Sequence, residues 1–418
     1  MKKTLKTFDP WLILFALAAT GIGLLFIFSA GYPRALEKNP KALPTEFLLQ
    51  LGFACASLFV AYVAGRVRIE KWRKWAKPIW ILNLVLLLLV HFVGHRLNGA
   101  KRWVGVGPFS IQPAEFGKLA AIIYLGGYFA ERKAWPNRFK PHKSFALKFD
   151  NIWIPKMARC MPAVWVAFSA LLIFVEPDMG TSAVVLFTGF MMFIPGGVTK
   201  TSIAVAVGLA IFGGTLAVLK EPYRLQRFVD HPSRWTAKNI DDTEFQTVQS
   251  ELAVSSGGVL GVGLGQGRAK HVLPATTTDF IGATIGEETG LWGSLLVLGV
   301  LGGLVFRFFT LAQRAPSRVG GLVLYGVASW LGIQTCVNMM MANAMIPAVG
   351  IPLPFISSGG SSLVALWLAI GVCQAVLAPE PVKEEKPKKQ IMPVSKTPYT
   401  RGSKQVPVLT TNYRGRLR

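Results

Sequence analysis

The chain has 418 residues, 52% of them hydrophobic and only 16% charged, whereas a water-soluble fold carries roughly 25% charged residues. Its apolar residues gather in runs of about 20, the length that crosses roughly 30 Å of hydrocarbon, which excludes an assembly of soluble domains. The net charge of +24 sits in short segments between those runs, with no aromatic-rich basic domain, so a nucleic-acid partner is not expected.

Met1–Lys6 is basic, and the run Trp11–Ala30 is too long for the apolar core of a cleaved signal, so it is expected to persist as a first helix. Nine more apolar stretches follow at about 46–65, 77–94, 114–130, 159–175, 180–197, 201–219, 284–309, 320–345 and 360–378. The expected fold is therefore an all-α polytopic membrane protein of about ten transmembrane helices, spanning residues 1–378.

Basic residues crowd the connections after the second, fourth and eighth stretches: Arg66, Arg68, Lys71, Arg73, Lys74 and Lys77; then Arg132, Lys133, Arg138, Lys140, Lys143, Lys148, Lys156 and Arg159; then Arg307, Arg314 and Arg318. Positive charge marks the cytoplasmic side, which puts both termini there. The connection 220–278 between helices 7 and 8 is then long and extracytoplasmic, and a loop of that length is usually functional. The tail 379–418 contains Lys383-Glu-Glu-Lys-Pro-Lys-Lys389 and several prolines with little apolar content, which predicts a disordered cytoplasmic segment. Cys55, Cys160, Cys336 and Cys373 form no paired spacing, so unpaired thiols are expected.

Four clusters could carry chemistry. Asn98-Gly-Ala-Lys-Arg102-Trp103 precedes Gln112-Pro-Ala-Glu115-Phe-Gly-Lys118, where Glu115 and Lys118 share a helix face. They form either a structural ion pair or part of a cationic, water-lined cavity, because ionisable groups within a span are expensive otherwise. Glu176-Pro-Asp178 separates two apolar runs, and Asp178 either caps the following helix or joins a site. In the long loop, Tyr223, Arg224 and Arg227 form a basic turn, and Ser256–Gly267 is glycine-rich but lacks the GK[ST] ending of a phosphate loop. Thr278-Asp279-Phe280 stands where this loop descends into the membrane, which favours a functional Asp279. The fourth cluster, Asn338–Ser362, holds Pro347, Pro352 and Pro354 with Ser357, Gly359 and Gly360; such broken backbone is tolerated only inside protein or along a cavity. His91 and His95 have a metal-compatible i, i+4 spacing but no third ligand.

Taken in order, NGAKRW…IQPAEFGK, EPDMGT, GGVLGVGLGQG…LP…TDF…GEE and PLPFISSGGSS resemble the SEDS family (shape, elongation, division and sporulation) over about 350 residues. The long basic tail resembles its FtsW branch more than its RodA branch. This chain departs from the usual pattern at Ala275, Gly282, Ala344 (a usual glycine) and Ser358. The resemblance implies a peptidoglycan glycosyltransferase that polymerises lipid II in the bacterial cytoplasmic membrane, serving septal synthesis in cell division or, as the alternative, RodA-like elongation. It also implies a class B penicillin-binding transpeptidase as partner, beside other divisome proteins and membrane lipids, and it places the family's essential aspartate at Asp279. The substrate-binding residues expected are Arg102, Gln112, Glu115, Lys118, Glu176, Asp178, Arg224, Arg227, Ser357, Gly359 and Gly360. A divalent cation, Mg or Mn, is the one cofactor expected. A lipid II flippase and a non-catalytic scaffold are the rival classes, since broken helices around buried ions serve transporters as well.

Overall fold

A computed structural model describes residues 8–38, 43–97, 100–105, 110–131, 154–198, 200–242 and 244–378. The tail 379–418 and most of the basic segment 131–158 lie outside the described residues.

Each of the ten expected stretches coincides with a helix: α1 (Pro10–Lys38), α2 (Thr45–Arg66), α3 (Ile69–Val93), α4 (Pro113–Ala130), α5 (Ile154–Val175), α6 (Met179–Phe193), α7 (Lys200–Leu219), α10 (Ile281–Gln313), α11 (Arg318–Ala342) and α12 (Gly360–Leu377). Five of them, α1, α2, α3, α10 and α11, are long and apolar enough to cross a membrane, and α5, α6, α7 and α12 contain shorter apolar stretches. A short antiparallel hairpin, β1 (His95–Leu97) with β2 (Ala100–Trp103), links α3 to α4. α11 is the central helix, buried along most of its length and packed against α4, α6, α10 and α12. Its Trp330, Val327 and Leu331 join the large apolar core with Ile122, Leu125 and Trp367.

α3 starts eight residues earlier than the hydropathy suggests, because Trp72, Ala76 and Trp80 bury one face of its basic first turns. The connection 220–278 is also far from a bare loop. It contains α8 (Pro222–Asp230), which begins on a proline already shaped for a first helical turn, and α9 (Phe245–Gly257), which buries Val248 and Ala253.

The glycine-rich stretch has a structural use. Gly290 adopts φ 66° and ψ −155°, which breaks α10 and costs the bonds from residues 291 and 292 back to 287 and 288. The loop replaces them on both sides. Val262 N–H donates to the Glu287 carbonyl (2.9 Å) and Gly263 N–H to that of Glu288 (3.1 Å). Leu291 N–H donates to the Gly258 carbonyl (2.9 Å), and Trp292 N–H points to that of Val259 (3.5 Å). Backbone must lie on backbone for this, and a Cβ at Gly257 would drive into the Gly286 carbonyl and stand 2.9 Å from the Glu287 Cα.

Gly257→Ala is accordingly expected to lower stability by about 1–3 kcal/mol, the usual size of an overpacking penalty. Ala344, at φ 52°, occupies the left-handed region that favours glycine, so Ala344→Gly should raise stability by about 1 kcal/mol. Thermal unfolding of the two variants in detergent, beside the parent, measures both; unchanged midpoints would contradict the packing described.

Candidate functional site

Asp279 ends the long connection, immediately before Phe280 and α10. Its position is set through its backbone. Asn338 on α11 donates from one amide nitrogen to the Asp279 carbonyl (2.8 Å) and to the Ile351 carbonyl (2.7 Å). Ser357 ties the same two segments by donating to the Thr278 carbonyl (2.6 Å) while accepting from Leu353 N–H (2.7 Å). Ser358 N–H adds a bond to the Thr277 carbonyl (2.8 Å). The half-buried Asp279 carboxylate itself has no hydrogen-bond partner among the described residues, and a Cβ on Gly350 would stand 3.6 Å from its Oδ2. Burial pushes this carboxyl up to about 6; Asp178 adds to the shift and Arg102 opposes it.

The α5–α6 turn forms the facing corner. Asp178 caps α6 by accepting from Thr181 N–H (3.0 Å), and its other oxygen accepts from the Gln112 amide (3.1 Å). Arg102, at the end of β2, donates to the Glu176 carbonyl (3.1 Å) and to that of Pro177, and its guanidinium lies 4.0 Å from Asp178. Asp178 therefore caps α6 and at the same time stands beside Gln112 and Arg102. Glu176 is buried with neither carboxyl oxygen bonded among the described residues. Burial pushes it up to about 8, with Asp178 adding to the shift and Arg102 opposing it, so it carries its proton at neutral pH. Arg102, Gln112, Glu176, Asp178 and Asp279 thus gather in one electrostatic neighbourhood.

The other expected site residues lie elsewhere. Glu115 and Lys118 form the anticipated i, i+3 pair (2.8 Å), but Lys118 is only 1% exposed. Its ammonium also donates to Gln334 (3.1 Å) and lies 5.2 Å from the Trp330 ring centre, so it braces α4 against α11 instead of lining the corner. Arg227 on α8 donates to the Ala348 carbonyl (2.6 Å) and fastens that helix to the proline-rich loop; Arg224 is on the same helix, with its side chain outside those described. Gly359 N–H donates to Gln50 on α2 (3.0 Å), and Gly360 packs on the Phe53 ring. Ser357, Gly359 and Gly360 accordingly position the loop. α3 ends at Val93, so His91 and His95 are not one helical turn apart. Among the described residues no three acidic, histidine or cysteine side chains come close enough together to hold a metal ion, so an all-protein cage for a divalent cation does not fit here.

Sequence reasoning missed Gln334 and Asn338 as a pair. Gln334 donates to the Pro352 carbonyl (2.8 Å), one turn from the Asn338 bonds. Two amides spaced i, i+4 on an apolar helix were the available signal.

A family model described as cell cycle protein, covering FtsW, RodA and SpoVE, matches residues 10–380. Stage V sporulation protein E of Bacillus subtilis is 35% identical over 371 residues, 87% of this chain and 95% of that protein. A probable peptidoglycan glycosyltransferase FtsW of Aliivibrio salmonicida is 32% identical over 90% of this chain and 92% of its own. Among solved structures, a chain of a peptidoglycan synthase complex that coordinates polymerization and crosslinking is similar with a TM-score of 0.69 and 25% identity, covering 88% of this chain and 97% of that one. Thermus thermophilus rod shape determining protein RodA is similar with a TM-score of 0.63 and 25% identity over 88% and 96%. With the family model matching nearly the whole helical region, the chain belongs to the FtsW/RodA/SpoVE cell cycle family, the SEDS family its motifs resemble.

Proposed function

We propose that this chain is a peptidoglycan glycosyltransferase of the septal type. It polymerises lipid II into glycan strands and releases undecaprenyl diphosphate. The relatives named peptidoglycan glycosyltransferase support the activity. The observation that carries the chemistry is the unbonded Asp279 carboxylate, fixed through its backbone and facing a corner that holds one arginine and two acids.

Transfer from an α-linked lipid diphosphate to a β-1,4 product inverts the anomeric centre. One displacement does this, with one base to take the acceptor hydroxyl proton and no covalent sugar–enzyme intermediate. Asp279 is that base: with its carboxyl near 6, most of it is ionised at neutral pH, yet it stays more basic than an exposed aspartate. A diphosphate leaving group needs positive charge rather than a proton, and Arg102 supplies it. Protonated Glu176 keeps the corner from accumulating three negative charges. A Mg or Mn ion would arrive on the diphosphate, which such ions bind together with one or two carboxylates. By similarity to the synthase complex, a class B transpeptidase is the partner that crosslinks the product. The tail 379–418 is proposed as the site where other divisome proteins bind, with both termini cytoplasmic.

Asp279→Asn keeps the shape but removes the basic oxygen, so polymerisation of purified lipid II should fall roughly 10²-fold or more while lipid II binding persists. Asp279→Glu should recover little, since one methylene moves the carboxylate by about 1 Å. Near-normal polymerisation by Asp279→Asn would remove it as the base.

Polymerisation should also fall about tenfold per pH unit below 6, as the base becomes protonated. Unfolding at this residue cannot mimic that loss. Its folded-state pKa is raised above the ordinary value, so protonation between about 6 and 4 favours the folded state. A rate profile flat down to pH 5 would contradict the assignment.

Arg102→Ala should weaken lipid II binding and rate together, in contrast to Asp279→Asn. Parallel binding and polymerisation assays separate the two patterns, and unchanged binding by Arg102→Ala would sink the diphosphate role.

A further inference from the structure

The glycine-rich turn 258–266 carries the most exposed of the described large apolar side chains. Leu260 is 80% exposed, and Val259, Val262 and Leu264 stand out beside it. From Ser256 to Gly267 there is no charged residue. Contiguous exposed apolar surface of this kind marks a lipid or protein contact.

Two further observations identify the occupant. The turn lies along α10 at residues 287–292, where the outward face of that helix begins with Leu291 and Trp292 (64% exposed) and continues through Leu295 and Leu296. α10 is long and apolar enough to cross a membrane, so this face meets lipid, and the turn extends it without interruption. The turn also supplies protein partners for backbone groups freed by the Gly290 break, through Val262, Gly263, Gly258 and Val259. In water, solvent would satisfy those groups. In hydrocarbon each one left open costs several kcal/mol, so a helix break at membrane depth requires such a partner.

We propose that the turn 258–266 is immersed in the lipid leaflet on the Asp279 side, with Val259, Leu260, Val262 and Leu264 among the acyl chains. It works as an anchor for the reaction segment. Glu287, whose carbonyl binds the turn, accepts through its carboxylate from the N–H groups of Arg268 (2.7 Å) and Ala269 (3.0 Å), where the segment leading to Asp279 begins. The buried Lys270–Glu288 pair (3.3 Å) and the Ser29–Glu288 bond (2.7 Å) carry the same connection across to α1. The depth of the turn therefore fixes the depth of Asp279 relative to the headgroups, where a lipid-linked diphosphate lies.

The test uses the full chain in lipid nanodiscs with Cys55, Cys160 and Cys336 replaced by serine and the fully buried Cys373 retained. A nitroxide is attached in turn to Leu260→Cys and Leu264→Cys, with Leu296→Cys as the lipid reference and Asp241→Cys as the aqueous one. Each preparation is first checked for lipid II polymerisation. Power-saturation electron paramagnetic resonance then compares accessibility to oxygen and to a water-soluble nickel chelate. At 260 and 264 oxygen should prevail over nickel, as at 296. Nickel accessibility equal to that at 241 would overturn the proposal. Nickel accessibility that vanishes only when the class B transpeptidase is added would overturn it in favour of a protein-docking surface.

Discussion

Inside an apolar helical bundle, a chain that leaves helical geometry must find protein partners for its backbone groups, because lipid offers none. The side chain of Asn338 meets that demand for two segments at once. Its amide nitrogen binds the Asp279 carbonyl from the segment preceding α10 and the Ile351 carbonyl from the loop preceding α12. Gln334, Ser357 and Gln50 continue the pattern toward Pro352, Thr278 and Gly359. The amides and hydroxyl satisfy the broken backbone, and the carboxylate of Asp279 is left to face the corner. Taking the hydrogen bonds to the main chain keeps the side chain available for chemistry, a division that a capped or paired carboxylate such as Asp178 does not share.

Charge is sorted around that arrangement by burial. Three acids, Glu176, Asp178 and Asp279, stand near Arg102, and like charges so close cannot all be ionised cheaply. Asp178 is held by hydrogen bonds from Thr181 and Gln112 beside Arg102, while burial pushes Glu176 up to about 8 and Asp279 up to about 6. The outcome is a neutral acid and a base near its working range beside Arg102. Lys118, another cation expected in this region, is withdrawn into a network with Glu115 and Gln334 that holds α4 on α11. A buried ion pair of this kind is costly to break by removing one partner, so its effect on activity would come through the scaffold.

The helices were legible because run length and hydropathy report membrane depth directly, and each expected stretch has its helix. Asp279, Asp178 and Arg102 were legible because ionisable residues beside apolar runs are conspicuous. The connection 220–278 read as a loop because α8 and α9 are short and their apolar positions few, so their burial depends on partners far along the chain, such as Ala342, whose carbonyl accepts from Ser250 (2.6 Å). The glycine-rich turn lacks the ending of a phosphate loop, and its use was not legible because its partner is the break at Gly290, which no local pattern announces. The spacing of Glu115 and Lys118 left a structural pair and a cavity lining both open, and only the packing of α11 shows which way Lys118 faces. Gln334 and Asn338 look unremarkable in sequence because amides carry no charge, although their spacing on an apolar helix already implied a shared task.

In the proposed reaction each sugar is joined by a single displacement at Asp279. The most direct measurement is the product formed when the purified full chain, in a bilayer with its class B transpeptidase, is given labelled lipid II. Long glycan strands whose new linkages are all β by nuclear magnetic resonance are expected. Labelled lipid II that crosses the bilayer without polymer, or strands that retain the α configuration, would contradict it.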